Sequence, residues 1–265
     1  MCSRREEMLS AEPAGADPPL RQARVPTVVR ALSALTIVAI PLVLVGNSVW
    51  LLLGPWFVDI QYALPGFPVD PNGVQGPARS ELAKVGISSV RPIGEGVDLL
   101  REARLPDGDI AFTEREISHM ADVREVMSGL LAIWLAAGVS LAGALFGLSR
   151  FAAHRSRARA LVRGALVTVG AMSLVGLFMA FAFEIFFDGF HRLFFSEGTW
   201  QFADRYTLRQ LYPDAFWGIA GATVAIMVLL QAGVLALIGH RLATRYEPRG
   251  DARRSPSGHI DEDAT

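Results

Sequence analysis

The chain predicts an all-α membrane protein. It has four transmembrane helices, both termini cytoplasmic, and a large extracytoplasmic loop between the first two helices. Three observations carry this. The mean hydropathy of +0.34, with 51% hydrophobic residues, is above what a soluble domain of 265 residues carries. Four apolar blocks are each long enough to cross a hydrocarbon core, which takes about 20 residues. Arginine is also unevenly divided between the segments joining those blocks. The N-terminal stretch through Arg30, the stretch 150–163 and the tail after Gly239 hold five arginines each, so one side has 15 of the 25 basic residues but 9 of the 26 acids. Positive charge stays inside, which orients the bundle.

In chain order, residues 1–27 are polar and rich in Pro, Ala, Arg and Glu, and form a disordered cytoplasmic tail. The apolar block begins too late for a cleaved signal peptide. The four-helix domain covers 28–240. Its first span runs from about Val28 to Leu53, with Pro41 as a kink. Gly46, Asn47 and Ser48 suit close helix contact, and Trp50 and Trp56 mark an interface.

Residues 54–124 form the extracytoplasmic loop. Gly54 to Pro77 is dense in Pro and Gly and is expected to be irregular, while Arg79–Val90 and Gly96–Arg104 read as short amphipathic helices. Thr113 and Glu116 have the spacing of a capping box. From there one helix without proline runs to about Ser149, its outer part a water-exposed extension of the second span.

Arg150 to Arg163 is then expected as a short cytoplasmic loop. The third span covers about Gly164 to Phe187, with Gly164, Gly170 and Gly176 for tight contact, and turns aromatic at its outer end. An outer loop bearing His191 leads to the fourth span, about Ala215 to Ile238. Residues 241–265 form a second disordered cytoplasmic tail.

Composition excludes several chemistries. The net charge of -1 and the lack of a basic groove pattern argue against a nucleic-acid partner. The single cysteine, Cys2, cannot form an internal disulfide or a cysteine metal cluster. Lys84 is the sole lysine, so a Schiff base would have to form there. Of five histidines, His154, His240 and His259 lie in cytoplasmic segments and read as solvated or headgroup-facing. His119 and His191 lie on the other side. His119 has Glu116 three residues before it and Asp122 three after; His191 has Asp188 three before. A carboxylate at that spacing fixes the tautomer of an imidazole and suits it to acid–base work.

Two other readings of the same residues stay open. The histidines can be interfacial groups satisfied by local ion pairs. Alternatively, Glu116-x-x-His119 and Asp188-x-x-His191 can belong to a bundle metal site, though such a site needs further carboxylates. The aromatics from Phe178 to Phe195, with Trp200 and Trp217, fit an interface belt or a groove for acyl chains. Arg115, Arg124, Arg192 and Arg209 can bind lipid phosphate or pair with nearby acids.

Two stretches taken together are more specific. They are Phe112-x-x-Arg115-Glu116-x-x-His119-Met120-x-Asp122-Val123 and Phe190-His191-x-x-Phe194-Phe195-x-x-x-x-Trp200-x-Phe202, the latter followed by Leu211-Tyr212-Pro213-x-x-Phe216-Trp217. They resemble the Lit family of bacterial lipoprotein intramolecular transacylases. The likeness covers about Val28 to His240 in layout. It implies a membrane acyltransferase with its active site on the extracytoplasmic face of the bacterial cytoplasmic membrane. Its partners would be membrane lipids and a diacylglyceryl lipoprotein substrate, whose second glycerol-carbon acyl chain moves to the amine of the N-terminal cysteine, leaving a lyso-lipoprotein.

No cofactor and no metal are implied. His119 and His191 match the two histidines that carry the chemistry in that family. The expected assignment is His119 as base, supported by Asp122 with Arg115 and Glu116 alongside, and His191 as oxyanion or leaving-group donor, supported by Asp188. Phe194, Phe195, Trp200 and Tyr212 are the expected substrate-binding residues. The alternatives are a metal-dependent membrane lipid hydrolase and a non-enzymatic structural protein.

Overall fold

The computed structural model describes residues 26–68 and 73–245. The two predicted disordered tails fall almost wholly outside these residues. Eight helices follow one another among the described residues: α1 (Thr27–Leu52), α2 (Pro55–Tyr62), α3 (Gly76–Ser89), α4 (Asp98–Glu102), α5 (Glu114–Phe151), α6 (His154–Phe194), α7 (Thr207–Leu211) and α8 (Asp214–Arg245). The one β feature among them is an isolated bridge between Arg104 and Ile110.

Helices α1, α5, α6 and α8 are long and apolar enough to cross a membrane. In the bundle α6 packs on α8, and α1 contacts α5, α6 and α8. The outward faces are greasy: Val139, Leu174 and Leu230 are each about two-thirds or more exposed, as lipid-facing residues are. Small residues bring the helices together. A side chain at Gly164 would collide with Ile40 of α1, and one at Gly46 with Trp134 of α5. Gly170 and Gly176 face open space instead, so of the three glycines expected to make contacts in α6 only Gly164 does so.

A polar clamp ties α1, α5 and α8 within the bundle. The Trp134 indole donates to Asn47, Asn47 donates to Gln231, and Gln231 donates to Ser48, at 2.9 to 3.1 Å. Among apolar surroundings a polar side chain left without a partner would be costly, so these residues satisfy one another.

Several boundaries differ from expectation. The Gly54–Pro77 stretch is not wholly irregular, because Pro55 starts α2 at a first-turn position where it loses no helical hydrogen bond. The Arg150–Arg163 loop shrinks to Ala152 and Ala153, and its arginines lie on the last turn of α5 and the first turns of α6. α1 runs through Pro41, while the interior break falls in α6 at Ala182, whose φ of -144° and ψ of 45° are not helical. Beyond it the chain stays helical to Phe194, so His191 stands on a helix rather than in a loop. No proline interrupts 154–194, so nothing stops the helix earlier.

Helices α2, α3, α4 and α7, with the start of α5, form a cap at one end of the bundle. Its core contains Phe57, Val58, Leu82, Leu100, Phe112 and Leu211. Burying a ring such as Phe112 contributes about 2–3 kcal/mol. The cap also grips the α6–α8 connection through polar latches. Tyr62 Oη donates to Leu211 O, Arg79 to Gln210 O, Gln61 to Phe216 O, and Thr207 to Ala111 O. Burial raises the Tyr62 phenol to about 12, so it remains a donor at any ordinary pH.

Candidate active site

The cap end of the bundle brings two histidines together from distant parts of the chain. Helix α5 has 38 residues and α6 has 41. At 1.5 Å per residue each is nearly 60 Å long, about twice the hydrocarbon thickness. His119, in the second turn of α5, and His191, beyond the Ala182 break in α6, therefore lie outside the spanning portions. The ring centroids are 6.4 Å apart and the planes are 25° from parallel.

The start of α5 is held firmly. Thr113 and Glu116 form the predicted capping box, which satisfies first-turn amides that no helical carbonyl reaches. Glu116 does more than cap. One carboxylate oxygen accepts from the Thr113 amide and hydroxyl at 2.8 and 2.9 Å, and the other accepts from the amide of Leu208 at 2.8 Å. Fully buried, it joins α5 to α7. Arg115, on the next position, donates to the carbonyls of Gly198 and Gln201, both at 2.7 Å, and its guanidinium lies over Phe202 and Tyr206. It thereby pins the segment that carries Trp200 and Phe202.

That segment and the end of α6 wall the histidines with aromatic rings. Phe195 lies 5.0 Å from His119 and 5.6 Å from His191. Phe202 meets His119 edge-on at 5.4 Å. Trp200 stacks on His191 at 4.7 Å, and Phe187 approaches it at 4.1 Å. His119 is 9% exposed, and its Nδ1 has no hydrogen-bond partner. His191 is half-buried, and its Nδ1 lies 2.7 Å from Phe187 O. A carbonyl only accepts, so His191 carries its proton on Nδ1 and, when neutral, offers a lone pair at Nε2.

Burial lowers the pKa of both imidazoles. For His119 the drop reaches about 4, through desolvation first and the neighbouring His191 second. For His191 desolvation dominates, opposed by the Phe187 carbonyl and the charge of Asp188. Both rings are neutral near pH 7.

The expected carboxylate–histidine pairs do not form. Glu116 is occupied by the backbone and Thr113, as above. Asp122 makes no hydrogen bond or ion pair among the described residues, and His119 Nδ1 is unpaired. Asp188 is exposed and reaches His191 only as a nearby charge. The i, i+3 spacing allowed these contacts, but the backbone acceptor at Phe187 and the carboxylate's own donors are closer. The same fact weakens the metal reading: among the described residues no three His, Cys, Asp or Glu side chains gather as a metal site would need.

Of the expected substrate-binding residues, Phe195 and Trp200 border the histidines. Phe194 is 43% exposed and packs on Phe190, which itself meets His191 edge-on at 5.5 Å. Tyr212 is a buried latch whose hydroxyl donates to Ala83 O in α3, far from either imidazole in its contacts. Phe187 and Phe202 were not among the expected site residues. Phe187 carried a signal, since it lies one helical turn before His191.

Comparison with known proteins bears on this site. Residues 98–217, which include both histidines, match the family model "Lipoprotein intramolecular transacylase Lit". An uncharacterized protein of Aquifex aeolicus is 27% identical over 216 residues, covering 81% of this chain and 95% of that one. The in meso structure of the membrane integral lipoprotein intramolecular transacylase Lit from Bacillus cereus superposes with a TM-score of 0.66 at 16% identity, over 82% of this chain and 96% of that one. A variant of the same Bacillus protein with one histidine replaced by alanine superposes with a TM-score of 0.63 at 16% identity, over 82% and 94%. At that identity the superpositions establish a shared fold.

Proposed function

We propose that this chain, which matches the Lit family model over residues 98–217, acts as a lipoprotein intramolecular transacylase with His119 and His191 as its catalytic pair. The observation that carries the site assignment is the facing of two neutral imidazoles, 6.4 Å apart, within one aromatic enclosure. The substrate is a diacylglyceryl lipoprotein. The acyl group on its second glycerol carbon passes to the amine of its N-terminal cysteine.

In this reaction a C–N bond forms, the ester C–O bond breaks, and the amine's proton ends on the glycerol hydroxyl. The amine must be neutral when it attacks, and an α-amino group has a pKa of roughly 8. A neutral imidazole nitrogen can accept its proton. The anchoring of His191 Nδ1 on Phe187 O leaves Nε2 as that acceptor, so His191 is the base. An unpaired buried N–H is rarer and costlier than an unpaired lone pair. The unpaired Nδ1 of His119 is therefore the bare nitrogen, and its Nε2–H donates a hydrogen bond to the carbonyl oxygen, while the imidazolium formed on His191 returns the amine's proton to the departing glycerol oxygen. This exchanges the roles that carboxylate spacing suggested. No enzyme nucleophile enters. Closing a medium-sized ring through the thioether is entropically poor, so holding amine and ester together is a large part of the rate. The aromatic walls supply an apolar surface for acyl chains.

The active site lies on the extracytoplasmic face of the bacterial cytoplasmic membrane. The support is charge: Arg150, Arg155, Arg157, Arg159 and Arg163 cluster at the other end of the bundle. The test is mass spectrometry of lipoprotein N-termini from cells lacking other N-acylating enzymes. His119→Ala and His191→Ala should each reduce conversion by about 10²–10⁴-fold. Full conversion by the double variant would end the assignment.

A further inference from the structure

A second feature lies at the opposite end of the bundle, more than a full span from the histidines. A cleft of about 330 Å³ runs between α1 and the first turns of α6. Arg30, Arg159 and Arg163 line it together with Ser156, and no carboxylate does. Its floor includes Ala34 and Ile37, which follow Arg30 along one face of α1. The side chains of Arg30 and Arg163 make no hydrogen bond or ion pair among the described residues, and that of Arg159 uses only its Nε, on Arg155 O. α6 begins beside Ser156 without a side-chain cap, and its positive dipole end adds to the arginines.

Charge and apolar surface lie side by side in the cleft. Arg30, Ser156 and Arg159 stand toward its mouth, while Arg163, next to the Gly164 that packs on Ile40, lies beside the apolar stretch of Ala34 and Ile37. A soluble anion would use only the mouth, and a neutral lipid would leave three guanidinium groups unused. An anionic phospholipid uses both parts. We propose that this cleft binds one anionic phospholipid, its phosphate held by Arg30, Arg159 and Arg163 and one acyl chain lying along Ala34 and Ile37.

A basic pocket between spanning helices on the arginine-rich side has the chemistry to hold such a headgroup. Arginine suits phosphate through its planar fork of donors. The bound lipid would brace α1 against α6, the helix that carries His191 at its far end.

The test is native mass spectrometry of the full chain, equilibrated in a membrane mimetic with equimolar phosphatidylglycerol and phosphatidylcholine. One phosphatidylglycerol should be retained in preference to phosphatidylcholine. The preference should fall about fivefold for each of Arg30→Gln, Arg159→Gln and Arg163→Gln. Arg241→Gln, outside the cleft, should leave it intact. Ala34→Phe fills the floor with all charges present and should expel the lipid. Unchanged preference in the triple arginine variant, equal loss in Arg241→Gln, or lipid retention by Ala34→Phe would each overturn the proposal. So would equal retention of both lipids by the unaltered chain.

Discussion

His191 and His119 differ in how they are held, and that difference sets the pH behaviour. His191 has a donor nitrogen locked on Phe187 O, and His119 has a nitrogen facing nothing. Burial keeps both below the ordinary histidine value, His119 at about 4. A lowered histidine pKa means the neutral form persists as pH falls, so imidazolium formation is postponed to acid pH. Above pH 6.5, the ordinary histidine value that both groups lie below, the dominant titration should be that of the substrate amine, near 8. The logarithm of kcat/KM should therefore rise with a slope of about one from there toward the amine's value, as measured on a diacylated lipopeptide in detergent. A slope of two between pH 6.5 and 7.5 would show an imidazole titrating above its ordinary value and contradict this. At the same scale, Trp200→Ala removes the ring stacked on His191 and should lower turnover about 10²-fold by letting the base shift. Tyr212→Phe removes a latch hydroxyl and should cost about 1 kcal/mol of stability. Its folded fraction should turn over substrate at the unaltered rate. A selective loss of activity in Tyr212→Phe with normal stability would restore Tyr212 to the substrate.

Among the elements, the junction of α5 with α7 carries the most consequence. Glu116 caps one helix and accepts a first-turn amide of the other, so one buried carboxylate sets the position of both. Glu116→Ala should cost about 2 kcal/mol or more, since the buried Leu208 amide loses its acceptor. Thr113→Ala should cost about 1 kcal/mol. The two losses overlap, because they remove the same bonds, and the double variant should be less destabilised than their sum. Thermal unfolding measures the costs, and hydrogen exchange at the Leu208 amide reports the junction itself. Strict additivity, or protection of Leu208 in Glu116→Ala, would argue against the link. The α6 arm beyond Ala182 is the complementary element, because it turns His191 toward α5. No proline or glycine stands at the break, so the sequence has no mark of it.

For the whole molecule, the two ends of the bundle have opposite characters. One end has the cap, the histidines and the aromatic walls. The other has the clustered arginines and the basic cleft between α1 and α6. The proposed orientation rests on that asymmetry. In a Cys2→Ser background, Asp109→Cys should react with an impermeant thiol reagent on intact spheroplasts. Arg155→Cys should react only after permeabilisation. The reverse pattern would invert the topology and place the histidines inside the cell.

Hydropathy and arginine distribution by themselves determined the four spans and the expected orientation. The Thr113–Glu116 spacing determined where α5 starts, and two short motifs singled out His119 and His191 among the five histidines. These are local signals, carried by residues a few positions apart. Tertiary structure alone decided what each histidine touches. Helical spacing offered Asp122 and Asp188 as partners, but spacing shows only what is within reach. The Phe187 carbonyl is four residues from His191 and was within reach by spacing alone, whereas the folded-back segment held by Arg115 and the break at Ala182 depend on packing between residues 80 or more apart or on a bend with no local signature. The same reason moved Tyr212 from substrate to latch: its partner lies in α3, 129 residues away.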